Sequence, residues 1–247
     1  MTTQIALHEL KILMRSPFAW LAAGLLQLMF GWLFLSAVER YIEQQTLAAT
    51  ASSSGLSAYL IVNFLAPVSI VFMVATPLLC MHLVAGEKQA NRFDFLLSLP
   101  VAASQLVLGK FFGATIFQTL ILLLGAALIV LLSFSIDLDI THLLTAGLGL
   151  ILFVATITAL TLFFSSVSKR PVLAAFMSFV TMILLWLSAA TSSNGIFQFA
   201  SPSAHVHSFM QGLLDSRDVI YFVAVTSILL TLGVWRLDSQ RVRTATA

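Results

Sequence analysis

Charge is what this chain has least of. Lysine, arginine, aspartate and glutamate make up 9% of its 247 residues, against 60% hydrophobic ones, where soluble domains carry about 25% charged residues. So few polar side chains cannot coat the apolar remainder, so lipid must be the solvent for most of the surface. A net charge of only +2 excludes the basic stripe that nucleic-acid binding requires. The single cysteine, Cys80, excludes an internal disulfide and a cysteine-based zinc site. Inside its apolar run it reads as a small buried hydrophobe.

Catalytic motifs are missing as well. Gly109-Lys110 is followed by Phe111 rather than Ser or Thr, and Ser104 stands where a phosphate-binding loop needs its first glycine. His8-Glu9 has no second histidine of a zinc-protease helix, and there is no Gly-x-Ser-x-Gly elbow. His205-x-His207 is the one candidate metal pair. Residues i and i+2 do not face each other on a helix, and no carboxylate is placed to complete a site, so no metal is assigned. The chain reads as a non-enzyme without a cofactor of its own.

What is abundant is apolar length. A spanning helix needs roughly 20 mostly apolar residues, and six runs qualify: 17–38, 59–85, 106–134, 143–166, 172–191 and 219–235. The sixth is the shortest. Within them the only Asp, Glu, Lys or Arg is Lys110. Ion-driven carriers need charged groups inside the membrane, so their shortage disfavours a secondary carrier or channel, as does the missing inverted repeat. Gln27, Asn63 and Gln118 are expected to hydrogen-bond between helices, and Pro67 and Pro77 to kink the second span.

Basic residues set the orientation. With both termini in the cytoplasm, ten basic residues fall inside (Lys11, Arg15, Lys88, Arg92, Lys110, Lys169, Arg170, Arg236, Arg241, Arg243) and two outside (Arg40, Arg217). Six acids fall outside: Glu39, Glu43, Asp137, Asp139, Asp215 and Asp218. The first apolar run is long for a signal peptide and lacks a small-residue cleavage site after it, so it is expected to be retained.

Three segments outside the spans carry patterns of their own. Residues 6–14 put Ala6, Leu7, Leu10, Leu13 and Met14 on one helical face and Gln4, His8, Lys11 and Arg15 on the other. They form an interfacial amphipathic helix or a basic flank. Residues 86–110 are longer than a turn needs. Phe93, Leu96 and Leu97 at i, i+3, i+4, flanked by Arg92 and Asp94 and closed by Leu99-Pro100, read as a short helix that docks a partner or lies on lipid. In residues 192–218, Ser201 reads as an N-cap and Pro202 as the first helical residue. The stripe Val206, Phe209, Met210, Leu213 and Leu214 predicts a helix over 203–214, in the outer leaflet or between spans. Arg217 is expected either to pair with Asp215, Asp218 or a carboxylate of a neighbouring loop, or to face water with them.

The order of these features resembles the permease subunits of ABC-2 type transporters. Gly86-Glu87-Lys88, then Phe95-Leu96-Leu97-Ser98-Leu99-Pro100, then Leu108-Gly109-Lys110-Phe111 looks like that family's coupling segment, with Ala90-Asn91 where Gly-Thr is usual. Ser201-Pro202, His205, His207-Ser208-Phe209 and Gly212 through Phe222 are similar to the stretch before the last span in the gliding-motility permease subgroup, akin to the permease serving nitrous oxide reductase maturation. The resemblance implies an all-α, six-span, single transmembrane domain over 1–247, with an interfacial helix (1–16), a coupling segment (86–105) and an outer helix before the last span (192–218). It also implies a bacterial inner-membrane permease moving an unknown substrate. ATP and Mg would bind a separate ATPase subunit, and a second permease copy or related subunit would complete the path. Implied coupling residues are Glu87, Arg92, Phe93, Asp94, Leu96, Leu97 and Pro100. The implied outer motif is His205, Phe209, Gly212, Asp215, Arg217, Asp218 and Tyr221. The alternative is a mechanical transducer acting on a periplasmic partner protein without transporting anything.

Overall fold

The computed structural model describes residues 2–47, 56–89, 102–132, 139–191 and 200–245. Among these, every regular element is a helix. In chain order they are α1 (Thr2–Arg15), α2 (Pro17–Leu47), α3 (Leu56–Cys80), α4 (Ala85–Gln89), α5 (Ala103–Leu132), α6 (Ile140–Val167), α7 (Pro171–Thr191), α8 (Pro202–Met210) and α9 (Ser216–Ala245). Six stretches, carried by α2, α3 with α4, α5, α6, α7 and α9, are long and apolar enough to span a membrane. Contrary to the expectation from the sequence, the last spanning helix is not the shortest. It runs for 30 residues, and α7, at 21, is shorter. The apolar run of α9 is brief, but good helix formers carry the helix on past Trp235.

Large apolar side chains point outward. Leu21, Leu28 and Trp32 on α2 are at least 70% exposed, a surface that only lipid tolerates. The buried share is largest in α6 (61%) and smallest in α2 (17%), so α6 is the central post and α2 a peripheral one. Around α6 stand α3, α5, α7, α8 and α9.

Two amides inside the bundle pair across helices, as an apolar solvent favours. Gln118 on α5 accepts from the Thr76 hydroxyl at 2.6 Å and donates to Thr158 Oγ1 at 3.0 Å, joining α3, α5 and α6. Gln27 donates to the Ile121 carbonyl at 2.8 Å. Asn63 departs from the expectation: its amide donates to Tyr59 O one turn back on its own helix. α3 continues through Pro67 and Pro77 and stops at Cys80. Ser165 of α6 splints the break. Its hydroxyl oxygen accepts from the Val84 and Ala85 N–H groups and donates to the Met81 carbonyl.

The amphipathic N-terminal segment is helical, and Ala6, Leu10 and Leu13 of the marked apolar face turn toward the core, but the inward face is rotated from the one the pattern marks. Ala6 and Glu9 are buried, whereas Leu7 and Met14 are exposed. α1 lies along the start of α5, where Gly109 and Gly113 open a groove one helical turn apart. A methyl at Gly109 would sit 2.5 Å from Ile5 Cγ2, and one at Gly113 would sit 2.9 Å from the Ala6 carbonyl oxygen. Two glycines thus let two helices approach almost to backbone contact. Leu7 and Met14 are left to the lipid.

Candidate functional site

Two clusters of ionisable side chains stand at opposite ends of the bundle. The first surrounds Lys110, in the second turn of α5. Its ammonium is held by Glu9 of α1 and by Glu87 of α4, the latter at 2.7 Å. The lysine side chain is 2% exposed, Glu9 11% and Glu87 25%. A lone ammonium at this depth would be prohibitively unfavourable, and two carboxylates remove that penalty by supplying charge and acceptors together. The second Glu87 oxygen, Oε2, is buried without a hydrogen-bond partner. Beside the cluster lies a cavity of about 350 Å³ lined by Glu9, Leu13, His82, Gly86, Glu87 and Lys110.

Of the residues implied for coupling, Glu87 therefore faces inward and ties α4 to α5. Arg92, Phe93, Asp94, Leu96, Leu97 and Pro100 lie outside the described residues. The cluster itself escapes pattern reading because its members are 78 and 23 residues apart along the chain from Glu9 to Glu87 and from Glu87 to Lys110. The available signal was Lys110 itself. A single cation in an apolar run needs a counterion, and Glu9 and Glu87 are two of the few acids on that side.

The second cluster closes the other end. Ser201 is the N-cap of α8 by backbone conformation and Pro202 its first residue, as expected. The Ser201 hydroxyl meets Ser203 Oγ at 2.8 Å instead of capping the helix. α8 stops at Met210, four residues before the end the apolar stripe predicts. The stop is a Schellman turn. Gly212 adopts φ +78°, its N–H bonds Phe209 O, and the Leu213 N–H bonds Ser208 O. Val206, Phe209 and Met210 are buried, while Leu213 and Leu214 are about 60% exposed. α8 is wedged between spans, with Phe209 seated over Gly149 of α6 and His142 Nε2 bonded to the Met210 carbonyl at 2.8 Å.

Within this wedge the outer-motif residues converge unevenly. His205 Nδ1 meets Asp218 Oδ1 at 2.6 Å, with both side chains nearly buried. The imidazole stacks on Tyr221, ring centres 4.0 Å apart, and the Tyr221 hydroxyl donates to Ala200 O at 2.6 Å. The Asp218 carboxylate is thus taken by His205 and not by Arg217. Asp215 accepts from the backbone N–H of Arg217 at 3.0 Å, capping the start of α9. The Arg217 side chain is exposed and has no ion pair among the described residues. Asp218 is buried against His205, whereas its chain neighbour Arg217 is exposed. His207 sits apart from His205, its Nε2 3.1 Å from the Gln211 amide. A cavity of about 340 Å³ opens beside this cluster, lined mainly by Thr156, Leu160, Met182, Pro202, Tyr221 and Val225.

Both clusters hold helices to one another. A family model described as ABC-2 family transporter protein matches residues 3–241, from the first turn of α1 into the last turns of α9. No curated protein matches the chain.

Proposed function

The chain belongs to the ABC-2 transporter family, and from that premise we propose that it is the permease subunit of an ATP-driven ABC transporter. ATP and Mg bind a separate ATPase subunit, and a second permease copy or a related subunit completes the translocation path. The observation that carries this reading is the family match across nearly the whole chain together with six membrane-spanning helices. The membrane is the bacterial inner membrane with both termini in the cytoplasm, a reading supported by the ten-to-two partition of basic residues. Within the family the chain groups with the gliding-motility-type permeases, on the strength of its Ser201-to-Phe222 sequence.

Coupling follows from the Lys110 cluster. The segment 86–105 begins on α4 and ends on α5, so a force applied by the ATPase at Phe93, Leu96 and Leu97 reaches α1 and α5 through Glu87, Lys110 and Glu9. Phe93→Asp tests the docking. The variant is expected to insert in the membrane as wild type does and to lose co-purification of the ATPase; an intact, coupled complex would move the docking site elsewhere. For the topology, Thr244→Cys should resist a membrane-impermeant thiol reagent in intact cells, and rapid labelling there overturns the orientation.

A further inference from the structure

The fifth and sixth spanning helices, α7 and α9, both face α6, but among the described residues they hardly pack on each other. The gap between them is the cavity of about 340 Å³ beside the His205 cluster. Thr156 and Leu160 of α6 form its back, Leu185 of α7 one side, and Tyr221, Val225 and Leu229 of α9 the other. Ala200 and Pro202 lie at the Tyr221 end, where the tyrosine hydroxyl donates to Ala200 O. The cleft is not sealed. Leu185, Val225 and Leu229 are partly exposed, and Ile228 and Leu232, beside them on α9, are 58% and 41% exposed.

Depth and lining limit what can enter. Tyr221 stands in the second turn of α9, and Leu229 follows eight residues later, about 12 Å along the axis. The cleft therefore runs from one boundary of the bilayer toward its middle, the reach of one leaflet in a hydrocarbon core about 30 Å thick. Its lining is apolar except for two hydroxyls, and both are occupied. Thr156 donates to Leu152 O and Tyr221 to Ala200 O. An apolar cavity does not hold water, so the slot suits hydrocarbon. Its outer rim is charged. Arg217 lies one turn before Tyr221, on the stripe that continues through Val225 and Leu229. The Arg217 side chain is exposed and has no ion pair among the described residues. Asp215, also exposed, accepts from the Arg217 N–H through Oδ1, but forms no ion pair with the guanidinium. One cation and one anion thus stand side by side at the end of an apolar cleft.

We propose that the cleft between α7 and α9 binds one zwitterionic phospholipid of the adjoining leaflet. An acyl chain lies along Tyr221, Val225 and Leu229, the phosphate meets Arg217, and the headgroup ammonium meets Asp215. An anionic headgroup sets its extra negative charge against Asp215 and is the poorer ligand. Acyl chains are already the solvent at this depth, so the lipid enters from the side. Residues 192–199, the chain between α7 and Ala200, contain no acid and could not supply the partner that Arg217 lacks. The inference rests on the six helices spanning a membrane and is independent of the transport reading.

The test uses the full chain purified in detergent. Phosphatidylethanolamine with a diazirine on one acyl chain is photolysed at a low ratio of lipid to protein, and the adducts are mapped by mass spectrometry. Adducts should concentrate on the peptide holding Val225 and Leu229. Excess unlabelled phosphatidylethanolamine should remove them more readily than adducts at Leu21 and Leu28 of the lipid-facing α2. Native mass spectrometry then counts retained lipid of matched chain length. Phosphatidylethanolamine should be kept better than phosphatidylglycerol and much better than diacylglycerol, which has no phosphate. Arg217→Gln should weaken phosphatidylethanolamine retention by about three- to five-fold and melt like wild type without lipid. Val225→Phe, which fills the cleft, should abolish retention; if it does not fold, the adduct map on wild type still decides. Adducts spread evenly over α2 and α9 overturn the proposal. So does equal retention of diacylglycerol and phosphatidylethanolamine, or unchanged retention in Arg217→Gln. A photoreactive residue at Val225 that crosslinks to residues 192–199 or to a second copy of the chain, and not to lipid, overturns it in favour of that occupant.

Discussion

Replacing Lys110 by methionine should be the most damaging single change at the Glu9–Lys110–Glu87 cluster. The new side chain fits the volume, so packing is not the issue. The ammonium it removes is 2% exposed and is shared by two carboxylates, one of them 11% exposed. Methionine leaves both carboxylates facing each other without a cation. Removing one partner of a buried ion pair costs about 3–5 kcal/mol, whereas replacing the whole set with apolar residues is often neutral. At about 2–4 °C per kcal/mol for a chain of this size, Lys110→Met should lower the melting temperature of the purified protein by about 6–20 °C. Glu87→Gln removes the more exposed carboxylate and leaves the Glu9 bond in place, so its loss should be smaller, about 1.5–3 kcal/mol. The triple change Glu9→Gln, Glu87→Gln, Lys110→Met should recover most of the stability lost by Lys110→Met alone. Fluorescence-monitored melting in one detergent would rank the variants. Lys110→Met melting with wild type, or the triple variant melting below it, would refute the claim that Lys110 neutralises the two acids.

Three further outcomes follow from the other end of the bundle. Gly212→Ala should destabilise by about 1–2 kcal/mol, the penalty for a left-handed residue with a side chain, and by more if His142, 3.0 Å from the new methyl, cannot retreat; Gly212→Asn should lose less, and equal melting of all three forms would remove the turn from the argument. Asp218→Ala should cost about 1–3 kcal/mol by leaving buried His205 without its acceptor, and Arg217→Glu should cost less than 0.5 kcal/mol, since an exposed charge without an ion pair contributes little; the reverse order in a thermal-stability assay would reinstate Arg217 as the structural residue. Tyr221→Phe should lose about 0.5–1.5 kcal/mol with the Ala200 hydrogen bond, read by the same melt.

The spans were legible in the sequence because lipid imposes a local rule: an uninterrupted apolar stretch of a fixed length. Ser201-Pro202 was legible for the same reason, since a helix start is encoded in adjacent residues. The end of α8 was misjudged because two signals competed. The apolar stripe runs on through Leu213 and Leu214, but Gly212 supplies a left-handed turn that satisfies the terminal carbonyls, and a hydrophobic pattern cannot weigh that against itself. The inner face of α1 was misread in part, at Leu7, Glu9 and Met14, for a different reason. The pattern ranks Leu7 and Met14 above Glu9 as inward residues, but in a membrane protein the apolar side chain is welcome outside and the ionic one must be inside. The Glu9–Lys110–Glu87 and His205–Asp218 pairings depend on helix packing, and no local spacing announces them.

The same inversion determines how the two ends of the segment between Gln89 and Ala103 are held. At its start, α4 is fastened to α6 by neutral hydrogen bonds from Val84 and Ala85 to Ser165 and by Lys88 to the Ser166 carbonyl. Glu87, on the same short helix, is fastened by charge to Lys110, on the far side of the segment. Lys110 is in turn fastened to α1. The two ends are therefore bound to each other as well as to the bundle. On the proposed reading, a push from an ATPase on the middle of the segment cannot simply swing it like a loose loop. It must either move α4, α5 and α1 as one unit relative to α6 or break the ionic contacts. Charged hydrogen bonds in a largely dry site are stronger than the neutral ones to Ser165. On that reading the two neutral bonds to Ser165 yield first, and the Lys88 bond to the Ser166 carbonyl is the charged tie that keeps α4 on α6.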